Sequence, residues 1–265
     1  MSPGPLALAL LALLPAPAAS GLALLGQAAA FAMLPVLTMA AGATIAAYRP
    51  PGERVRSGIQ HFAAGVVFSV VAVELLPQIM RLHDDVLEVA GGFALGVAVM
   101  LTVEWLTGAH EHADPGAEGG SVLRAMLVAV GADLALDGIL VGIAFAAGAR
   151  TGILLAIALG FELLSLGLAL AVELAQAGAS RRRRVLAPTA LALGTLLGGA
   201  CLGSLALARA PDAIMAAVLA FGSAALLFLV TEELLVEAHR EGETTGGTAM
   251  FFLGFLLFLV LGMAA

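Results

Sequence analysis

Seven acidic residues stand in stretches otherwise apolar enough to lie inside a bilayer: Glu74, Glu104, Asp133, Asp137, Glu162, Glu232 and Glu233. An ionisable side chain at the centre of a membrane helix costs about 2.5 to 3.5 kcal/mol on insertion scales, so several together mark a bundle interior, an aqueous path or a proton site. Asp133 and Asp137 are spaced i, i+4, which stacks their carboxylates on one face of a helix and lets both approach a single ion. Glu162 belongs to the next helix, joined by a short turn around Arg150-Thr151-Gly152, and is expected at similar depth. Gly138, Gly142 and Gly160 leave room for the two helices to come close. No lysine exists in the chain, and no arginine lies deep in an apolar stretch to neutralise these acids. Such acids bind cations, hold protons, or act as neutral hydrogen-bonding glue between helices. An oxygen-only ligand set favours Mn²⁺, Mg²⁺ or Ca²⁺ over zinc.

The histidines add a weaker signal. His110 and His112 flank Glu111, with Asp114 and Glu118 following, a loop that can hold a divalent ion loosely. His61, at the start of a span, reads as an interfacial residue. His83 and His239 close helices, where they complement the helix dipole. The single cysteine, Cys201, has no internal disulfide partner. There is no phosphate-binding glycine loop, no His-Glu-x-x-His motif and no Ser/His/Asp set at one depth, so nothing points to an enzyme or to a prosthetic group.

The elements that must position these acids follow from composition. Of 265 residues, 61% are hydrophobic and 12% charged, with a mean hydropathy of +1.06. Soluble domains carry about 25% charged residues. A membrane barrel would show short alternating segments and aromatic girdles, whereas the runs here are long, rich in Leu and Ala, and the chain only 5% aromatic. The expectation is an all-α polytopic membrane protein with eight transmembrane helices, at about 21–48, 59–81, 87–109, 121–149, 152–178, 186–208, 212–238 and 248–264. Residues 21–265 form one transmembrane domain. Residues 1–20 read either as a signal-like segment or as a short extra helix that is kept.

Nine arginines (Arg49, Arg54, Arg56, Arg124, Arg181 to Arg184, Arg240) fall in loops on one side and three (Arg81, Arg150, Arg209) on the other. The positive-inside rule then puts the loops after helices one, three, five and seven in the cytoplasm and both termini outside, with the chain in the inner (plasma) membrane. The Arg181–Arg184 run is accordingly a topology signal, not a nucleic-acid contact. Val73-Glu74-Leu75-Leu76 in helix two resembles Glu232-Glu233-Leu234-Leu235 in helix seven. Helices an odd number of spans apart run in opposite directions, so this likeness suggests an inverted repeat.

These stretches resemble the ZIP (Zrt/Irt-like protein) metal transporters, in particular their prokaryotic GufA-like branch. The resemblance spans helices two to eight. Val103-Glu104-Trp105 leading into His110-Glu111-His112 is similar to the family's acid-containing helix end and His-x-His loop, and Gly222 to His239 is similar to its seventh helix. Where the family carries His-Asn-x-Pro-Glu-Gly in helix four, this chain has Asp133-Leu134-Ala135-Leu136-Asp137-Gly138. The resemblance thus implies Asp133 at the histidine position and Asp137 at the glutamate position. In helix five a polar pair followed by Pro-Glu becomes Phe161-Glu162-Leu163-Leu164-Ser165, which implies Glu162 at the polar-ligand position. A Glu-Pro pair in helix six has no equivalent in Ala192-Leu193-Gly194.

The resulting expectation is a ZIP-like carrier of a divalent cation (zinc, manganese or similar) towards the cytoplasm. Its metal set is Asp133, Asp137, Glu162, Ser165 and Glu233, with Glu74 towards the entrance and His110 and His112 at the exit. The cation is the transported substrate, the bilayer the only other implied partner, and a homodimer is left open. A transport-incompetent membrane scaffold and a proton or small-solute carrier are the alternatives. In cells carrying Cys201→Ala, Arg182→Cys should be protected from an impermeant thiol reagent. Labelling of that cysteine from outside would reverse the orientation.

Overall fold

The computed structural model describes residues 21–82, 85–111, 119–239 and 245–264, with side chains except at 106–111, 119–125, 237 and 239. The signal-like segment 1–20, His83 and His112 lie outside the described residues. Eight helices are long and apolar enough to cross a membrane, and no strand occurs among the described residues. They are α1 (Gly21–Tyr48), α2 (Glu53–Leu82), α3 (Val86–Glu111), α4 (Gly119–Ala147), α5 (Ala149–Gln176), α6 (Arg181–Leu207), α7 (Asp212–Phe228, continued by Leu229–Leu234 and Leu235–His239) and α8 (Thr245–Ala264). The chain is an all-α polytopic membrane protein.

Helix α2 begins at Glu53, earlier than expected, so Arg54 and Arg56 lie in its first turn rather than in a loop; two further boundaries differ for local reasons. The Arg181–Arg184 run is the first turn of α6, because the Ser180 hydroxyl accepts from the Arg183 N–H and so caps the helix start. Just before it, Gly178 at φ 76° ends α5 in a Schellman arrangement, with Ala179 N–H donating to Leu174 O and Gly178 N–H to Ala175 O. Arg150, Thr151 and Gly152, expected as the turn between α4 and α5, lie in the first turn of α5. The break is instead at Gly148, and Gly152 packs so closely on the Phe145 ring that a Cβ there would strike it.

Lipid offers no hydrophobic drive for helix association, so close backbone approach at small residues must supply it. The approach sites come in matched sets. A Cβ at Gly42 of α1 would meet the Leu164 carbonyl of α5, and one at Gly167 of α5 the Met39 carbonyl of α1. In the same pattern Gly199 of α6 meets Ala135 of α4, and Gly138 of α4 meets Leu196 of α6. Gly254 of α8 meets the Phe62 carbonyl of α2, as Gly96 of α3 meets that of Phe221 in α7. Each correspondence holds at a constant offset within its helix pair. They relate α1 to α6, α2 to α7, α3 to α8 and α4 to α5, which is the pattern of an inverted repeat. Under the α4–α5 offset, Asp133 corresponds to Glu162.

The repeat extends to a local distortion. Helix α2 widens to a π-helical turn at Val71–Leu75, and α7 does so at Leu229–Leu234. Glu74 and Glu233 occupy equivalent places in the two turns. In α2 the widening accommodates Pro77, which lacks an N–H and would clash with the preceding turn; the turn closes through Leu76 N–H to Val71 O. No proline stands at the matching place in α7, so Pro77 does not account for both π turns; such bulges concentrate at functional sites. Gly138→Val should force α4 and α6 apart and cost about 1–3 kcal/mol, read as a lower unfolding temperature in detergent. An unchanged temperature would show that this backbone approach contributes nothing.

Candidate metal centre

One oxygen each from Asp133, Asp137 and Glu162 lies within 4.8 Å of the other two. The i, i+4 spacing on α4 brings the aspartates together, and Gly138, one residue on, holds α4 tight against α6 so that this stretch stays in the bundle interior. Helix α5, the most buried of the eight spans, presents Glu162 from the opposite side. Asp137 and Glu162 are each 2% exposed and Asp133 is half-buried. Asp137 Oδ2 and Glu162 Oε2 are buried with no hydrogen-bond partner. A buried carboxylate oxygen without a donor is costly, and a cation coordinated by all three side chains would satisfy both atoms at once.

Ser165 is buried one turn beyond Glu162 on α5, on the same face. Glu233, in the π turn of α7, is exposed but within electrostatic reach of Asp133, Asp137 and Glu162, and also of Glu104 on α3. Glu74 is not part of this group. Its carboxylate pairs with Arg150 Nε at 3.6 Å, and its Oε1 lies 2.9 Å from the Thr151 hydroxyl oxygen. His110 lies in the last turn of α3 as part of the helix, and only its backbone is described. His61 is buried at 3% exposure, its Nδ1 2.9 Å from the Ser57 carbonyl one turn back and its ring against Gly247 of α8.

Sequence reading passed over three polar residues around Glu74: Arg150, Thr151 and Gln78. The available signal was Gln78, an amide four residues after Glu74 in an apolar run and therefore on the same helical face. Arg150 was counted only as a loop charge, and the i, i+1 pair Arg150-Thr151 gives no hint of which helix it will face.

Eight apolar helices around a buried carboxylate cluster, arranged as an inverted repeat, define an all-α polytopic membrane protein. The chain matches no protein-family model. It is 33% identical over 221 residues, covering 76% of this chain and 82% of the relative, to the zinc transporter GufA of Myxococcus xanthus. The chain belongs to the GufA-like zinc transporter family of ZIP type. Membership supports metal transport in general. The donor set seen here is all oxygen, with no imidazole or thiolate beside the three carboxylates among the described residues.

Asp137→Asn keeps side-chain volume but removes one charge and one oxygen ligand. It should weaken Mn²⁺ binding to the purified protein by at least roughly tenfold while leaving its unfolding temperature without metal within a few degrees. Titration calorimetry with equal affinity for parent and variant would remove Asp137 from the centre.

Proposed function

We propose that this protein carries a divalent metal cation across the inner membrane towards the cytoplasm, with Asp133, Asp137 and Glu162 as its midway site and Ser165 and Glu233 as adjoining oxygen donors. The observation that carries this reading is the convergence of three carboxylate oxygens within 4.8 Å, with no ion pair to an arginine at any of the three among the described residues. Their combined charge must be balanced by a cation or by protons, and a divalent ion does so while coordinating all three. Carboxylates are hard ligands, so the reading favours Mn²⁺ or Mg²⁺ over zinc for this chain.

The inverted repeat supplies a way to move the ion, because two structurally related halves can exchange conformations about a site at their junction. Leu75, beside Glu74, and Leu140, one turn after Asp137, line the same small apolar void with Ile143, Leu155 and Leu226. That apolar layer closes the route between Glu74 and the centre. Glu233 is within electrostatic reach of Asp133 and Glu104, and it and Glu104 stand towards the ends of α7 and α3 that the arginine asymmetry makes cytoplasmic. No covalent step and no ATP is required; the ion moves down its own gradient or against protons.

Protons and cations compete for the same oxygens. Acidification adds protons to the carboxylates and displaces metal, so uptake should fall as pH falls, and binding should release protons into an unbuffered solution. The test is Mn²⁺ uptake into proteoliposomes, with Mg²⁺, Ca²⁺ and Zn²⁺ as competitors. Parent protein should take up Mn²⁺ faster at pH 8 than at pH 6, and Asp137→Asn should reduce the flux to that of empty vesicles. Flux that is unchanged in Asp137→Asn would contradict the site. Absence of flux for every ion would favour the scaffold alternative.

A further inference from the structure

The Thr151 hydroxyl beside Glu74 faces two acceptors at once. Gln78 Nε2 donates to the Ala147 carbonyl at 2.9 Å, which fixes the orientation of the amide and turns Oε1 towards α5. There the Thr151 hydroxyl oxygen lies 2.6 Å from Gln78 Oε1 and 2.9 Å from Glu74 Oε1. A hydroxyl has one proton and can donate to one acceptor, so with Glu74 ionised one of these two oxygen pairs meets lone pair to lone pair. Such an arrangement is relieved by a cation shared among the oxygens. The only cation at hand among the described residues is the Arg150 guanidinium, whose Nε stands 3.6 Å from Glu74 Oε2 while its Nη2 donates to the Gly262 carbonyl of α8 at 2.6 Å. The Glu74 side chain is 11% exposed and that of Arg150 51%. The acid is therefore sheltered, and the arginine is the part that can swing away.

The repeat gives this group a place on the path. Glu74 is the counterpart of Glu233, and both stand in π-helical turns. Glu233 faces other acids, whereas Glu74 faces an arginine. Along α4, Ala147 lies ten residues beyond Asp137, about 15 Å at helical rise, with the apolar layer of Leu140 and Ile143 between them.

We propose that Glu74, Thr151 and Gln78 form a second, outer cation site, and that Arg150 occupies it as a tethered cation which an incoming divalent ion displaces. Its place at the entrance rests on the transport reading above; its ability to bind a cation does not. Four side-chain oxygens gather there: the two of Glu74, the Thr151 hydroxyl and the Gln78 amide oxygen. That is a hard-cation donor set. Displacing the guanidinium breaks the α5–α8 tie through Gly262, so arrival of the ion would release a contact that holds the outer end closed.

The experiment uses the full chain with the central site disabled by Asp137→Asn and Glu162→Gln, and reads Mn²⁺ binding by loss of the free-ion electron paramagnetic resonance signal. In that background Arg150→Gln should tighten the residual binding roughly tenfold, because a like charge competing for the site is gone. Glu74→Gln should abolish it. Thr151→Val, which keeps the shape and removes one oxygen, should weaken it with Arg150 in place, and serves if Arg150→Gln does not fold. A purely structural tie predicts lower unfolding temperatures for these variants and no change in Mn²⁺ affinity, and that result would overturn the proposal. Failure of the central reading would appear separately, as an unaltered chain that binds no more Mn²⁺ than the doubly substituted background.

Discussion

Charge balance in a low-dielectric interior is the constraint on which the rest of the structure turns. Three carboxylates held within 4.8 Å repel one another strongly where water is excluded, and no arginine or lysine of the described residues reaches them. Such a group persists only if its oxygens are served by something that comes and goes with charge, a metal ion or protons. The outer glutamate meets the same constraint differently. Glu74 has its own arginine, so the two ends of the proposed route balance charge in two ways, one with a mobile partner and one with a tethered partner.

Bringing the acids together needs helices that approach backbone to backbone, and the glycine pairs provide it. Because α1 meets α5 as α6 meets α4, and α2 meets α8 as α7 meets α3, the two halves share one packing scheme about the cluster. The interior acids fall into related pairs, Asp133 with Glu162 and Glu74 with Glu233. Asp137 breaks the symmetry, since Leu166 stands at its counterpart in α5. The third carboxylate of the centre thus comes from one half alone, and an ion bound there interacts unequally with the two halves.

Much of this was legible in the sequence. Apolar run length fixed the number of spans, because a bilayer requires about 20 apolar residues per helix, and the i, i+4 pair at Asp133 and Asp137 could only share a face. Glu162 followed from its depth in the adjoining span. Other features were not legible. The Glu-Leu-Leu shared by α2 and α7 hinted at a repeat, but its proof lies in which carbonyl each glycine meets, and that depends on tertiary packing. The π turn of α7 has no proline to announce it. Arg150 looked like a loop charge because its partners, Glu74 and Gly262, are distant in sequence, and the cap at Ser180 drew a charged run into a helix that hydropathy alone would start later.

The carboxylates of α4 and α5 are proposed to hold a divalent cation together. Diffraction from crystals of the full chain grown with Mn²⁺, measured at the manganese absorption edge, addresses it most directly. An anomalous peak is expected among Asp133, Asp137 and Glu162, with metal–oxygen distances of roughly 2.0 to 2.6 Å. Fully ordered side chains at those three residues with no anomalous density between them, at a manganese concentration that supports uptake, would contradict it.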